Sequence, residues 1–313
     1  MIGGREDGQL FRTTALGRWS DGGLMKVGIQ VYNMPVAELV ELAQAADELG
    51  FDALWLGEHL VHPVDYASVH PAAEGAEERL HRGKTISDET ILEDTWVTLG
   101  AVAKATERIG LATAVYLLPL RHPLATARAA MTVHDLSGAR LTLGVGAGWL
   151  REEFDALAVP FDRRWSLLEE DVHILRSAWE GGTISHSGKN WNFDSVKVTS
   201  TKVNIPLVFG GNTDRALQRA ARLGDGWFVS GGPVPEEMLR LRRQLLALRA
   251  ADGREGPFRC HLRLLEPDPA QLDRFAADGV EDIVIWGRSV WPKGPLSKKK
   301  EVLAQAAIDY RIG

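Results

Sequence analysis

Apolar residues recur along this chain in two alternating rhythms. Residues 26–32 (KVGIQVY) carry the dense apolar pattern of a buried strand. Pro35 then opens a stretch in which Val36, Leu39, Val40, Ala43 and Ala46 share one helix face, and Gly50 supplies the stop. The same exchange repeats to the end of the chain. Strands are predicted over 52–57, 109–115, 141–146, 207–210, 226–229, 258–265 and 282–286. Helices are predicted over 92–107, 123–136, 165–179, 214–223, 235–250, after Asp268, and over 296–310.

Eight strand–helix pairs point to the α/β class, as a (β/α)8 TIM barrel rather than an open sheet. No stretch has the composition of a domain linker, so residues 25–313 are read as one domain and residues 1–24 as a mobile extension. Two stretches exceed ordinary barrel loops. Residues 59–91, rich in Gly, Glu, His and Pro, follow the second strand and are read as a candidate lid. Residues 181–204 hold two short strand-like pieces, 183–185 and 196–199, and are read as an inert hairpin excursion.

Composition narrows the function classes. Hydrophobic content of 45% and charged content of 25% suit a soluble globular protein. A formal net charge of -6 disfavours a general nucleic-acid or membrane-surface role, and no apolar run approaches a membrane span. Residues 1–24 lack the apolar core of a signal peptide. The single cysteine, Cys260, lies in a strand-like context and is read as a packed thiol in a reducing cytoplasm. The expected partner is a small molecule, with a homodimer left open.

In such a barrel the strand C-termini form the active face. Here they carry Gly57-Glu58-His59, Thr113-Ala114-Val115, Gly146-Ala147-Gly148-Trp149, Gly210-Gly211-Asn212-Thr213, Trp227-Phe228 and Trp286. Glycines at a strand end let the backbone approach something closely. The run LTLGVGAGW over 141–149 therefore reads either as a tight strand-to-helix turn or as main chain and a flat ring offered to a planar ligand. Glu58-His59 is the only obvious acid–base pair among these ends, and histidine exchanges protons near neutrality. His59 and His62 also have the chemistry of metal ligands, but strands 1, 4, 5, 6 and 8 add no partners, so no metal is expected. Residues 210–213 read equally as a plain helix cap or as an anion site for a phosphate-bearing cofactor tail. Small residues and tryptophans together suit an aromatic cofactor lying flat across the barrel mouth.

Five blocks resemble the bacterial-luciferase-like (LLM) flavin and deazaflavin oxidoreductases: AADELGFDALWLGEH, IGLATAVYLLPLRHP, LSGARLTLGVGAGWLREEFDALAVPFDRR, PLVFGGNTDRALQRAARLGDGW and DGVEDIVIWG. The resemblance spans about residues 25–310, and the third block is most similar to members that use the deazaflavin coenzyme F420. It implies a cofactor across the C-terminal face, F420 in preference to FMN. Glu58 and His59 occupy the family's acidic–His position. Ala114 and Val115 match the site of a non-proline cis peptide behind the ring, next to Thr113. Gly146, Ala147, Gly148 and Trp149, with Gly210, Gly211, Asn212 and Thr213, match segments that hold the ring and its tail. Rim arginines such as Arg121 or Arg151 would meet tail carboxylates.

The sugar-phosphate dehydrogenase branch has a glutamate where this chain has Trp149. That departure disfavours a charged sugar, and an apolar or aromatic substrate fits Trp149, Trp227 and Trp286 better. The reading is hydride transfer between deazaflavin C5 and an organic substrate. His59 would be the proton donor or acceptor, and Glu58 would orient it or the cofactor. Two alternatives remain: an FMN-dependent monooxygenase on the same scaffold, and a barrel that binds the deazaflavin without turnover.

Overall fold

The eleven strands are β1 (Lys26–Val31), β2 (Ala53–Leu56), β3 (Gly110–Thr113), β4 (Tyr116–Leu117), β5 (Leu141–Gly146), β6 (Thr183–Ser187), β7 (Asn192–Lys197), β8 (Leu207–Gly210), β9 (Gly226–Phe228), β10 (Arg259–Leu264) and β11 (Asp282–Trp286) among the described residues. They belong to a computed structural model that describes residues 25–70, 86, 89–265 and 268–312. The expected extension over 1–24 and most of the expected lid, residues 71–85 with 87 and 88, lie outside these residues.

Eight of the strands pair in parallel around a circle. β1 pairs with β2, β2 with β3, β3 with β5, and β5 with β8. β8, β9, β10 and β11 follow in turn, and β11 returns to β1 with Lys26 opposite Asp282 and Gln30 opposite Trp286. The closed (β/α)8 barrel predicted from the alternation is the observed fold. β4 continues beyond β3 and pairs with the end of β5.

Side chains alternate between two cores, as period-2 strands require. The outward residues Ile29, Leu54, Leu111, Val145, Trp227 and Ile283 pack in the layer beneath the helices. The inward residues Ala53, Trp55, Ala112, Val208, Phe228 and Val284 fill the barrel. Trp55 is the largest of these. Its ring lies 5.0 Å from Phe228 and 4.5 Å from His261. Gly28, on the neighbouring strand β1, leaves room for it: a Cβ there would come within 2.8 Å of Trp55 Nε1.

Local signals set the helix limits. The helix Val36–Leu49 stops at Gly50, whose φ of 87° is the left-handed cap glycine tolerates. Asp94 caps the helix Thr95–Ala105 by accepting from Trp96 N and Val97 N. The helix Pro123–Leu136 and strand β5 have the predicted limits. The helices Arg151–Ala156 and Gly287–Val290 were not expected; each is too short for an apolar face to repeat.

The excursion over 181–204 is the hairpin β6–β7, pairing longer strands than predicted. Trp191 at its tip donates from Nε1 to Asp171 Oδ1 at 2.6 Å, and Glu170 accepts from the backbone N of Asn190 and Trp191. The hairpin is thus anchored on the helix Arg164–Trp179, and burial pushes the Asp171 carboxyl up to about 8. Cys260 is buried in β10, and burial pushes its thiol up to about 12, as for a packed thiol rather than a nucleophile. No helix among the described residues is long and apolar enough to cross a membrane.

Candidate active site

The C-terminal ends of the strands surround a cleft with about 820 Å³ of space. Gln30 and Tyr32 enter from β1, Glu58 and His59 from β2, Ala114 and Val115 from the β3–β4 junction, and Trp149 from beyond β5. Phe228 and Ser230, Arg263 and Trp286 close the circle from β9, β10 and β11. This cleft lies on the face predicted to carry chemistry.

His59 is held from behind. Its Nδ1 lies 2.9 Å from Glu153 Oε2, and the Glu153 side chain is buried. Glu153 Oε1 accepts from the backbone N of Leu60 at 2.5 Å and of Val61 at 3.2 Å. Two backbone donors and a histidine ring nitrogen thus converge on one carboxylate. Trp149 meets the His59 ring edge-on at 5.8 Å and 89°, and Tyr32 meets it at 6.2 Å and 72°. With Nδ1 engaged, Nε2 is the ring nitrogen left for a ligand.

Glu58 does not orient His59, contrary to expectation. Its Oε1 accepts from Leu117 N at 2.7 Å and Arg121 Nη1 at 2.9 Å. Its Oε2 accepts from Thr95 Oγ1 at 2.6 Å and Arg121 Nη2 at 3.1 Å. This is a bidentate, largely buried ion pair. Burial disfavours the Arg121 cation, but Glu58 beside it holds its pKa above the ordinary value. Arg121 is therefore committed inside the wall, not waiting on the rim for a cofactor tail. Arg151 does reach the surface, where it pairs with Asp162 at 2.8 Å.

Close approaches within the protein occupy the space beside several of the strand-end glycines. The peptide between Ala114 and Val115 is cis, as the resemblance implies. The Val115 side chain lies against Gly146 and Gly210. A Cβ on Gly146 would come within 2.4 Å of Val115 Cγ2, and one on Gly210 within 2.8 Å of Val115 Cγ1. Gly148, at φ 82°, leaves room for Phe154, 2.7 Å from where its Cβ would stand. Ala147 is buried in the outer core. Val115, not bare main chain, is what these strands present to the cleft.

The remaining residues divide. Trp149 and Trp286 line the cleft. Trp227 does not: it is buried in the outer core and donates from Nε1 to Gly211 O at 2.7 Å. Alternation along β9 turns its neighbour Phe228 inward instead. Thr113 is wholly buried and donates from Oγ1 to Gly144 O at 2.7 Å, so it is a structural brace. Asn212 donates to Ser230 O and accepts from Ser230 N, tying the ends of β8 and β9 together. Thr213 caps the helix Asp214–Leu223 by accepting from Ala216 N. Of the two readings of residues 210–213, the side chains act as cap and brace.

Sequence reasoning missed Glu153, Gln30, Tyr32, His70 and Arg263. Glu153 stands 94 residues from its partner in sequence, and only the EE pair after Trp149 hinted at it. Gln30 and Tyr32 sit where β1 ends, a strand end absent from the candidate set. Gln30 Nε2 donates to Ala114 O at 3.2 Å. Among the described residues, Gln30 Oε1 and the Tyr32 hydroxyl are buried with no hydrogen-bond partner. Burial pushes the Tyr32 phenol up, and the Glu153 charge adds to it, so the hydroxyl keeps its proton. Two orphaned polar atoms in an aromatic-walled cleft fit a planar cofactor with donors and acceptors on its edge.

Known proteins share this scaffold. The solved structure of the monooxygenase RslO1 from Streptomyces bottropensis superposes with a TM-score of 0.72 at 18% identity, over 91% of this chain and 98% of that one. An uncharacterised protein of Mycobacterium tuberculosis is 29% identical over 82% of this chain and 87% of its own length. An F420-dependent glucose-6-phosphate dehydrogenase of Nakamurella multipartita is 29% identical over 64% of this chain and 53% of its own length. The luciferase-like monooxygenase profile matches residues 16–265, most of the chain, and on that match the chain belongs to the luciferase-like monooxygenase family.

Proposed function

We propose that this protein is an F420-dependent oxidoreductase acting on an apolar or aromatic organic substrate. One observation carries the reading. An acid–base ring, His59, is braced inside an aromatic cleft in which Gln30 Oε1 and the Tyr32 hydroxyl await partners. The similarity to an F420-dependent dehydrogenase supports the choice of deazaflavin. When bound, that cofactor supplies the carbon that takes or gives hydride.

The chain's own residues do the rest. Val115 backs the ring site, held there by Gly146 and Gly210. Gln30 and Tyr32 offer an acceptor and a donor to a ring edge. Trp149, Phe228 and Trp286 exclude water from the substrate side. His59 Nε2 takes the proton a substrate hydroxyl loses, or returns it in the reverse direction. Glu58 acts at one remove, fixing the wall through Arg121, Thr95 and Leu117. A phosphate-bearing tail would meet residues 210–213 through backbone N–H groups.

A second reading is an FMN-dependent monooxygenase, whose oxygenase part alone is suggested by the structural similarity to the monooxygenase RslO1. An anaerobic assay separates the two. Protein and oxidised F420 are mixed with a panel of apolar and aromatic alcohols, and loss of F420 absorbance is followed. The proposal expects loss that requires both protein and a particular alcohol. In a parallel aerobic arm, turnover only with chemically reduced FMN and oxygen, with one labelled oxygen atom entering the organic product and the other leaving as water, would establish the second reading.

A further inference from the structure

We infer that Glu153 is a positioning residue that selects the tautomer of His59, so that Nε2 faces the cleft as a proton acceptor. The inference rests on His59 being the acid–base group of the proposed reaction. It concerns a residue outside the cleft lining, on the short helix Arg151–Ala156.

The geometry leaves few choices. Leu60 N and Val61 N both point at Glu153 Oε1, and backbone N–H groups can only donate. His59 Nδ1 lies 2.9 Å from Oε2, the other oxygen. An ionised carboxylate accepts at both oxygens and has no proton to give, so Nδ1 is the donor to Oε2 and carries the proton. A neutral imidazole with its proton on Nδ1 has its lone pair on Nε2. A carboxylate behind a histidine sets tautomer and ring direction in the same way in hydrolytic triads.

Glu153 also sits next to a second anchor. Glu152 Oε1 accepts from Ala67 N at 2.7 Å and Ser68 N at 3.2 Å. Burial alone would raise the Glu152 carboxyl, but hydrogen bonds from Ser68 and Ala67 bring it down to about 2. Adjacent carboxylates thus pin the segment that leaves β2 at residues 60–61 and again at residues 67–68. Glu153 differs from Glu152 in reaching a ring that borders the cleft, which allows anchoring to be separated from tautomer control.

The isosteric variant Glu153→Gln tests this without cofactor or substrate. The introduced amide must place its oxygen where Leu60 N and Val61 N converge. Its NH₂ group then faces His59 Nδ1, which can only accept from it. The proton must move to Nε2, and the atom facing the cleft changes from acceptor to donor. Nitrogen-15 NMR of the neutral ring, assigned by loss of the signal in His59→Gln, reads the tautomer directly.

The native protein is expected to show mainly the Nδ1–H form, and Glu153→Gln mainly the Nε2–H form. Glu152→Ala, which loosens the same segment, should leave the native tautomer in place. A native ring protonated mainly on Nε2 would overturn the inference, and this measurement needs no variant to fold. So would an unchanged tautomer in Glu153→Gln. Failure of F420 to bind would instead overturn the proposed function and leave the tautomer result standing.

Discussion

Replacing His59 with alanine is expected to slow turnover about 100-fold or more while cofactor affinity stays close to native. A factor of that size corresponds to about 2.7 kcal/mol of lost transition-state stabilisation. It is the usual share of a positioned acid–base group. His59 has a buried carboxylate, Glu153, 2.9 Å from its Nδ1, and a second histidine, His70, also lines the cleft beside Trp149. Alanine also removes the edge contacts to Trp149 and Tyr32, so a loss of stability accompanies the loss of rate. The two are separated by normalising turnover to folded, cofactor-saturated protein. Near-native turnover on that basis would remove His59 from the mechanism.

The largest expected effect on stability is that of Gly144→Ala. Gly144 lies inside β5, and a Cβ there would stand 1.8 Å from Thr113 O and 3.0 Å from Thr113 C in the neighbouring strand. The obstacle is backbone, so no rotamer change relieves it. β3 and β5 would have to part at the point where Thr113 Oγ1 bonds Gly144 O. Overpacking of this kind costs about 3 kcal/mol or more, or roughly 5–10 °C in melting temperature. Gly100→Ala is the control. It lies in the helix Thr95–Ala105, where the added methyl meets only Leu136 Cδ2 at 3.9 Å. Helix propensity alone should make that change neutral or stabilising. Equal melting temperatures for the two variants would show that the β3–β5 contact is not as tight as described.

Much of the barrel was legible because strand and helix periods differ and several helices carry their own start and stop. Pro123 and Ser137-Gly138 bracket one helix, and Thr213 and Gly224 another. The site was less legible, for three physical reasons. First, strand facing is a one-residue decision. Trp227 and Phe228 are equally apolar, and only the register of β9 against β8 and β10 settles which enters the barrel. Second, glycine records a close approach without naming what approaches. Gly146 and Gly210 make room for Val115, a contact between distant strand ends. Third, charged pairs form across long separations. Arg121 reads as a rim residue but pairs with Glu58, and Glu153, absent from the candidate residues, pairs with His59. The acidic–His pair of the resemblance is thus two separate units. One builds the wall and the other faces the cleft.

The most direct test of the account is a fluorescence titration of the purified protein with F420, with FMN run in parallel. The cleft offers one braced histidine, an acceptor at Gln30 Oε1 and a donor at Tyr32 to a planar ring edge. The account predicts saturable F420 binding that is tighter than FMN binding. FMN binding at least as tight as that of F420 would contradict it.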